Sequence, residues 1–492
     1  HDRLRRDLHG ALPTGPGFPG PGLLTRIIDD LRSAGHRAPR RRWRRAAWPP
    51  AVAGAALLLV VAGSTLFPRL QGQMYAGRVE FLATSNFGSV QFLSSQAQPA
   101  SEYRDMQRRV LPGFNGIVDF NSQPTATQDI DRILYEESAG KPTMDLVALT
   151  RSELLALQAR GALEDLTPLL QRLQRDRQFA PATLDRARSD TDRQYYIPWL
   201  QATYMMVVNR QALRYLPAGA DVNHLSYEQL IAWGQNLEAA TGERLIGLPA
   251  DLNGPRGGLV YRFLQGYAYP AYTGTTLTGF RSPEAVRMWQ TLRRLWSVTN
   301  PWSTHYSNMQ DPLTTGEIWI AWDHQARLTS ALADSAHFVA VPAPSGPRGL
   351  GYMSVTVGLA IPRGAHNPDG ARALIDWLTK PSQQATASAS LNFLPAVQHV
   401  DLTGVALAES RVATAYGAEP GAVQSLAPAA LGTGGDEFTA VYQDTFRRIV
   451  LANEDIPAVL NEEAARLQEL VNAAGAACWP PDPPSRGPCQ IR

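Results

Sequence analysis

The chain has 492 residues and 44% apolar content, too long for one ordinary domain and apolar enough to bury more than one core. Its net charge of +2 is unevenly placed: residues 1–45 carry 11 Arg and 4 Asp, net +7, which leaves the remainder mildly acidic and without a nucleic-acid signature. Arg outnumbers Lys by 44 to 2, but the excess is spread along the whole chain, reads as codon bias, and is given no functional weight.

Residues 1–45 form a basic segment with a Gly/Pro-rich stretch at 10–22, ending in the run Arg40 to Arg45. Residues 46–68 contain no charged side chain, and Trp48 to Phe67 is just long enough to cross a bilayer as a helix of about 20 apolar residues. With the basic run staying inside, residues 1–45 are a cytoplasmic tail and everything after Arg69 is outside: a single-pass protein of the cell membrane. A cleaved signal peptide competes, since Ala62 and Ser64 are small enough for a cleavage site. The long basic region before the apolar run favours the uncleaved anchor.

Beyond it, a first strand is expected at Gly77 to Thr84, ending in the polar loop Ser85, Asn86, Phe87. A helix follows over 103–116, then a strand at Ile117 to Pro124 containing Gln123, a helix over 125–140 capped by Gly140, and the strand 144–150. Strand, helix, strand, helix, strand is the pattern of a parallel sheet covered by helices. Later come YYIPWLQATYMMVVNRQAL (Tyr195 to Leu213), a helix over 225–242, a strand at Glu317 to Trp322, a strand at Phe338 to Pro342, a strand at Ser354 to Pro362, and a helix from Pro368 to Leu378. The helix from Glu454 to Ala474 carries Leu460, Leu467, Leu470 and Val471 on one stripe, a core-packing pattern.

The order and spacing of these segments, above all Asp311 to Gln398, resemble the extracellular solute-binding proteins of ABC importers, in the group that includes the maltose-binding proteins. The resemblance runs from about Gly77 to Ala474. Its individual motifs depart in places: Val208, Asn209, Arg210 stand where the family has a "YNK" turn, and Asp323, His324, Gln325, Ala326 stand where a Trp platform is common. The resemblance implies a two-lobed α/β fold of the periplasmic-binding-protein type, over residues 76–475, with a hinge crossed several times, preceded here by one transmembrane helix. Lobe 1 takes about 76–198 and 357–398, lobe 2 about 199–356 and 399–475, with crossings near 198–204, 352–356 and 397–402. Residues 476–492 are a Pro-rich C-terminal tail whose Cys478 and Cys489 either pair or remain free thiols.

Ligands of such sheets bind outside the carboxyl ends of the strands, and sugar sites combine aromatic faces with amides and carboxylates. The expected ligand-binding residues are therefore Ser85, Asn86, Phe87, Gln123, Trp199, Gln201, Tyr204, Trp302, Trp319, Asp323, Tyr352, Met353 and Ser354. Alternation along the strand at 317–322 sets Ile318, Ile320 and Trp322 on the buried face, with Trp319 and Asp323 on the other. Trp233, Trp289, Trp296 and Trp377 fall in predicted helices and belong to cores, and Arg256 is a further candidate contact for an acidic sugar.

No cofactor, metal set or catalytic signature is present: the Gly-rich stretches GPRGG, GPRGLG and GTGG are turns, and the nine His residues lack ligand spacing. The expected function is capture, not catalysis. A membrane-tethered solute-binding protein would take a carbohydrate between its lobes and deliver it to ABC permease subunits. The alternative is a membrane-anchored sensor that uses the same domain to signal to a cytoplasmic partner.

Overall fold

The computed structural model describes residues 89–94, 106–121, 126–188, 192–252, 258–428, 431 and 434–492. The expected anchor at 46–68 and the expected first strand at 77–84 lie outside these. No helix among the described residues is long and apolar enough to cross a membrane.

Lobe 1 opens with β1 (Ser89–Ser94), β2 (Ile117–Asn121) and β3 (Leu146–Thr150), where β1 lies parallel to and between the other two. The first strand among the described residues is therefore 89–94. Its run SVQFLS lies just beyond Gly88, so Ser85, Asn86 and Phe87 precede it rather than following its carboxyl end. Helix α1 (Ala126–Ser138) connects β2 to β3 and ends at Gly140, whose φ of 63° is the left-handed geometry a glycine C-cap supplies. Helix α2 (Arg151–Ala159) starts directly after β3, capped by a Thr150–Glu153 capping box in which the Thr150 N–H donates to Glu153 Oε2 at 2.6 Å. Helix α3 (Pro181–Arg188) then leads toward the first crossing.

Two long strands do the crossing. The sheet runs β2-β1-β3-β9-β4-β6-β5, with β4 (Ile197–Asn209), β5 (Ile246–Gly247), β6 (Ile320–His324) and β9 (Gly349–Ala360). The first half of β4 pairs antiparallel with β9, from Ile197↔Leu359 to Thr203↔Ser354. From Tyr204 onward it pairs instead with β6, and further on with β7 (Phe338–Val341). The first half of β9 pairs with the short β8 (Ser345–Gly346) and with β11 (Val423–Leu426), its second half with β4 and β3. The expected parallel sheet is thus mixed, because both crossing strands enter lobe 1 antiparallel to what lies beside them. Strand β10 (Leu394–Pro395) adds to β4 before the chain passes into lobe 2.

Lobe 2 is built on helices α4 (Tyr227–Thr241), α5 (Val260–Phe263) and α6 (Pro283–Ser297). Its core holds Trp233, Trp289, Trp322, Tyr267, Tyr269 and Phe280, all 2% exposed or less. Lobe 1 has its own apolar clusters around Leu146, Trp199, Leu359 and Leu374, the last on α7 (Pro368–Leu378), whose bounds coincide with those expected. Helix α8 (Gly404–Ala418) places Val412 and Tyr416 in the lobe 2 core, and α9 (Ile456–Ala474) buries Leu460, Leu467 and Val471 there.

The C-terminal segment is not a tail. Cys478 and Cys489 are disulfide-bonded, and Trp479, Cys489 and Ile491 are buried in the lobe 2 core. The Asp482 carboxylate accepts from the backbone N–H groups of Thr276, Leu277 and Thr278 and from the Thr278 hydroxyl, at 2.6–3.0 Å for the shortest bond to each. A carboxylate holding several donors is the strong kind of hydrogen-bond acceptor, which fixes the segment to lobe 2.

At the crossing, β4 changes partners, and side chains take over its ladder. The Thr203 N–H donates to Gln325 Oε1 at 3.0 Å, while the Tyr204 N–H donates to the Tyr267 hydroxyl at 3.0 Å. The Tyr204 carbonyl accepts from the Tyr267 and Tyr416 hydroxyls at 2.7 and 2.8 Å. Replacing Tyr267 by Phe strands the buried Tyr204 N–H, so Tyr267→Phe is expected to cost about 1–3 kcal/mol of unfolding free energy in a denaturant titration. A variant as stable as the parent chain would show that the hydroxyl does not hold the crossing.

Candidate functional site

The carboxyl ends of the strands in both lobes meet at this crossing. On the lobe 1 side, β3 ends at Thr150 and Arg151 opens α2. Arg151 Nε donates to the Arg186 carbonyl at 3.3 Å, and the Arg186 guanidinium donates to the Gln424 side-chain oxygen, a contact from α3 to β11 of lobe 2. Gln424 lies opposite Tyr352 in the β11–β9 pairing, and Tyr352 stacks on Tyr416 at 5.4 Å. Burial holds the Arg151 guanidinium below its usual range; the Tyr196 phenol opposes that, and the neighbouring Arg186 adds to it. Arg186 is likewise lowered by burial, against the nearby phenols of Tyr352 and Tyr196. Burial pushes Tyr196 itself up to about 12 in spite of both guanidiniums.

On the lobe 2 side, β6 ends at His324 and a turn through Gln325–Arg327 follows. The Tyr204 ring stacks on Trp322 at 5.1 Å and meets His324 edge-on at 5.2 Å. Arg262 on α5 lies over the Tyr261 ring at 4.9 Å. Its burial is outweighed by the phenols of Tyr261 and Tyr204 and by Glu153 from lobe 1, so it stays above its usual range. Burial, with the charges of Arg327 and Arg262, holds His324 down to about 3, so its imidazole is neutral.

Four expected residues lie outside the described ones: Ser85, Asn86, Phe87 and Gln123, as does Arg256. The structure brings Tyr352 to the crossing, with half-buried Gln201 and Ser354 on the strands beside it; Gln201 Nε2 donates to the Pro395 carbonyl at 3.4 Å, while Tyr204, at the crossing itself, is 4% exposed and its ring packs on Trp322 in the lobe 2 core. Others are placed differently. Trp199 is 5% exposed and packs in the lobe 1 core, because β4 begins at Ile197 and carries it into the sheet rather than a turn. Met353 is fully buried in the lobe 2 core. Trp319 lies before β6, which starts at Ile320 and not at 317; its carbonyl accepts from Asn209 at the far end of β4, and its ring packs beside Tyr215, away from the crossing. Asp323 is fully buried, with its carboxylate taken by the N–H groups of Met309 and His324 at 2.8 and 2.6 Å, and burial pushes it up to about 6 against Arg327. Both faces of β6 are covered, so the expected outward face of Trp319 and Asp323 does not exist. Trp302 stands 61% exposed on the turn Pro301–His305, whose Ser303 holds the segment leaving β5 through the Leu248 and Ala250 N–H groups.

Sequence reasoning missed Arg151, Arg186, Arg262, Gln325 and Gln424. The signal for Arg151 was available: it directly follows a predicted strand, the criterion that selected Ser85. Arg186 and Gln424 come from segments far apart in the chain, and no local pattern joins them. Among the described residues no group of three His, Cys, Asp or Glu side chains is arranged to hold a metal ion.

The model of the bacterial extracellular solute-binding protein family matches residues 115–414, more than half of the chain, and the chain belongs to that family. No curated protein matches it in sequence. Among the solved structures that share its fold are three receptors for small ligands. The GacH receptor of Streptomyces glaucescens, solved unliganded and with acarbose, is 18% identical, with 78% of this chain and 98% of that one covered and a TM-score of 0.60. The sugar-binding protein MalE from Xanthomonas citri is 18% identical over 78% of this chain and 97% of its own, with a TM-score of 0.61. UgpB from Mycobacterium tuberculosis, in complex with glycerophosphocholine, is 21% identical over 78% and 99%, with a TM-score of 0.56.

Gln325 also touches Glu409 of α8, donating to its Oε2 at 3.3 Å, while Glu409 Oε1 is buried with no hydrogen-bond partner among the described residues. Burial pushes this carboxyl up to about 8 from an ordinary 4.5. The native chain therefore keeps a proton that the unfolded chain has released, and stability falls as pH rises through that window, at up to about 1.4 kcal/mol per pH unit. The loss ends near pH 8. Asp323 adds a similar fall that ends near pH 6. Melting between pH 6 and 8 should drop more steeply for the parent chain than for Glu409→Gln; parallel profiles would remove Glu409 as the cause.

Proposed function

We propose that this chain captures a carbohydrate between its lobes and hands it to the permease subunits of an ABC importer, from the outer face of a membrane to which residues 46–68 tether it. The observation that carries the reading is the convergence of strand carboxyl ends from both lobes on one crossing, where half-buried Tyr261 and Tyr352 stand beside guanidinium and amide donors. Ring faces with planar hydrogen-bonding groups suit a sugar, which offers an apolar face and paired hydroxyls. A ligand touching both lobes gains its full interaction only when they close on it, which makes closure the signal for delivery. Family membership and the acarbose- and sugar-binding neighbours support the same ligand class.

Thermal melts of the purified full chain against neutral and charged mono- and oligosaccharides test this. A ligand at about 100 times its dissociation constant adds about 2.7 kcal/mol of stability, a clear upward shift. No shift with any sugar would remove carbohydrate as the ligand class. Deleting residues 46–68 is expected to release the chain from the membrane fraction; a deleted chain that stays there is tethered by something else.

A further inference from the structure

Several of the chain's arginines carry acidic partners, while Arg293 and Arg327 donate to backbone carbonyls. Arg294 pairs with Glu228, Arg177 with Asp176 and Asp376, Arg372 with Glu164 and Asp369, and Arg448 with Glu454, Glu462 and Glu463. Arg151, Arg186 and Arg262 form no ion pair among the described residues. Each is half-buried, and their hydrogen bonds go to a backbone carbonyl, to Gln424, to Gln265 and to the phenols of Tyr196 and Tyr261. All of these partners are neutral. Holding half-buried cations on neutral hydrogen-bond partners is costly, and Arg151 and Arg186 also repel one another. Of the acidic groups nearby, Asp185 acts on Arg186 and Glu153 on Arg262, whereas the groups acting on Arg151 are the Tyr196 phenol and the Arg186 cation.

We infer that the ligand is an anionic sugar, one bearing a phosphate or a carboxylate, whose oxyanion is held by Arg151 and Arg186 of lobe 1 and Arg262 of lobe 2. This rests on the carbohydrate reading above and narrows it. The guanidinium fork matches the oxygens of either oxyanion with paired, charge-assisted hydrogen bonds. Placing its charge from both lobes ties the anion to closure: in an open chain it meets one side only. Half-buried Tyr261, beside Arg262, remains for the sugar ring.

Isothermal titration of the full chain in phosphate-free buffer, with D-glucose 6-phosphate, D-glucuronate, D-glucose, maltose and inorganic phosphate, tests the inference. One of the two charged sugars should bind at least about tenfold tighter than D-glucose and weaken as NaCl is raised; which one separates phosphate from carboxylate. Arg151→Gln and Arg186→Gln should each weaken that binding by about 10- to 100-fold, with Lys at either position restoring part of it. Neutral sugars binding as tightly as charged ones, untouched by both substitutions, would overturn the anion and leave carbohydrate capture standing. Inorganic phosphate binding as tightly as D-glucose 6-phosphate would overturn the sugar half of the inference. No binding of any of the four sugars would overturn both readings. Should the glutamine variants not fold, the wild-type salt dependence decides: affinity for the charged sugar that does not change with NaCl sinks the inference.

Discussion

The backbone of Thr203 and Tyr204 is the constraint on which the rest of the molecule depends. A strand that belongs to two sheets must exchange its ladder partners somewhere, and in a buried position each backbone group that loses its partner has to find another. Here Gln325, Tyr267 and Tyr416 supply those partners, from the turn after β6, the segment after α5 and helix α8. The three side chains come from lobe 2, so the crossing is organised by one lobe while β9 and β10 hold the same strand in the other.

The same arrangement decides where charge can be tolerated. Gln325 and Glu409 sit behind the crossing, where a raised carboxyl pKa keeps the pair neutral over much of the pH range. The guanidiniums of Arg151 and Arg262 are half-buried, at the start of α2 and in α5. A carboxylate at 325 would have no donor for Asn392 and would face Glu409, whereas an amide offers one acceptor to Thr203 and two donors to Asn392 and Glu409.

Much of this architecture was legible in the sequence. The helix expected from Pro368 to Leu378 has those bounds, with Asn367 found to cap it, and the stripe of α9 followed from its periodicity. The crossing near Tyr204 followed from the resemblance to a known family and could not have come from local pattern, since nothing in IPWLQATYMMVVN marks where its partners change. The site was harder. The aromatic residues chosen for sugar stacking were judged by strand ends that moved: β6 starts at Ile320, which put Trp319 at the wrong end of the sheet, and β4 starts at Ile197, which put Trp199 inside it. The arginine excess hid the guanidiniums that matter, because pairing with acids distinguishes Arg294 from Arg151 and pairing is a property of the folded chain.

Rigidity elsewhere completes the account. A binding cleft between moving lobes needs each lobe to move as a body, and lobe 2 has the harder task because it is assembled from several separate stretches of chain. The segment after α9 answers this: Asp482 gathers the N–H groups of Thr276 to Thr278, the Cys478–Cys489 bond closes the segment on itself, and Trp479 packs against Phe438. Thr276 lies a short distance along the chain from Tyr267, which holds the crossing, and its hydroxyl donates to the Gln265 carbonyl at 3.4 Å. The C-terminal clamp and the crossing are therefore braced through the same stretch of backbone, 265–278. Arg262 and Tyr261 sit immediately before that stretch, so the lobe 2 half of the cleft is carried on its most firmly held part. Precision in such a site comes from supporting side chains as much as from those that touch the ligand.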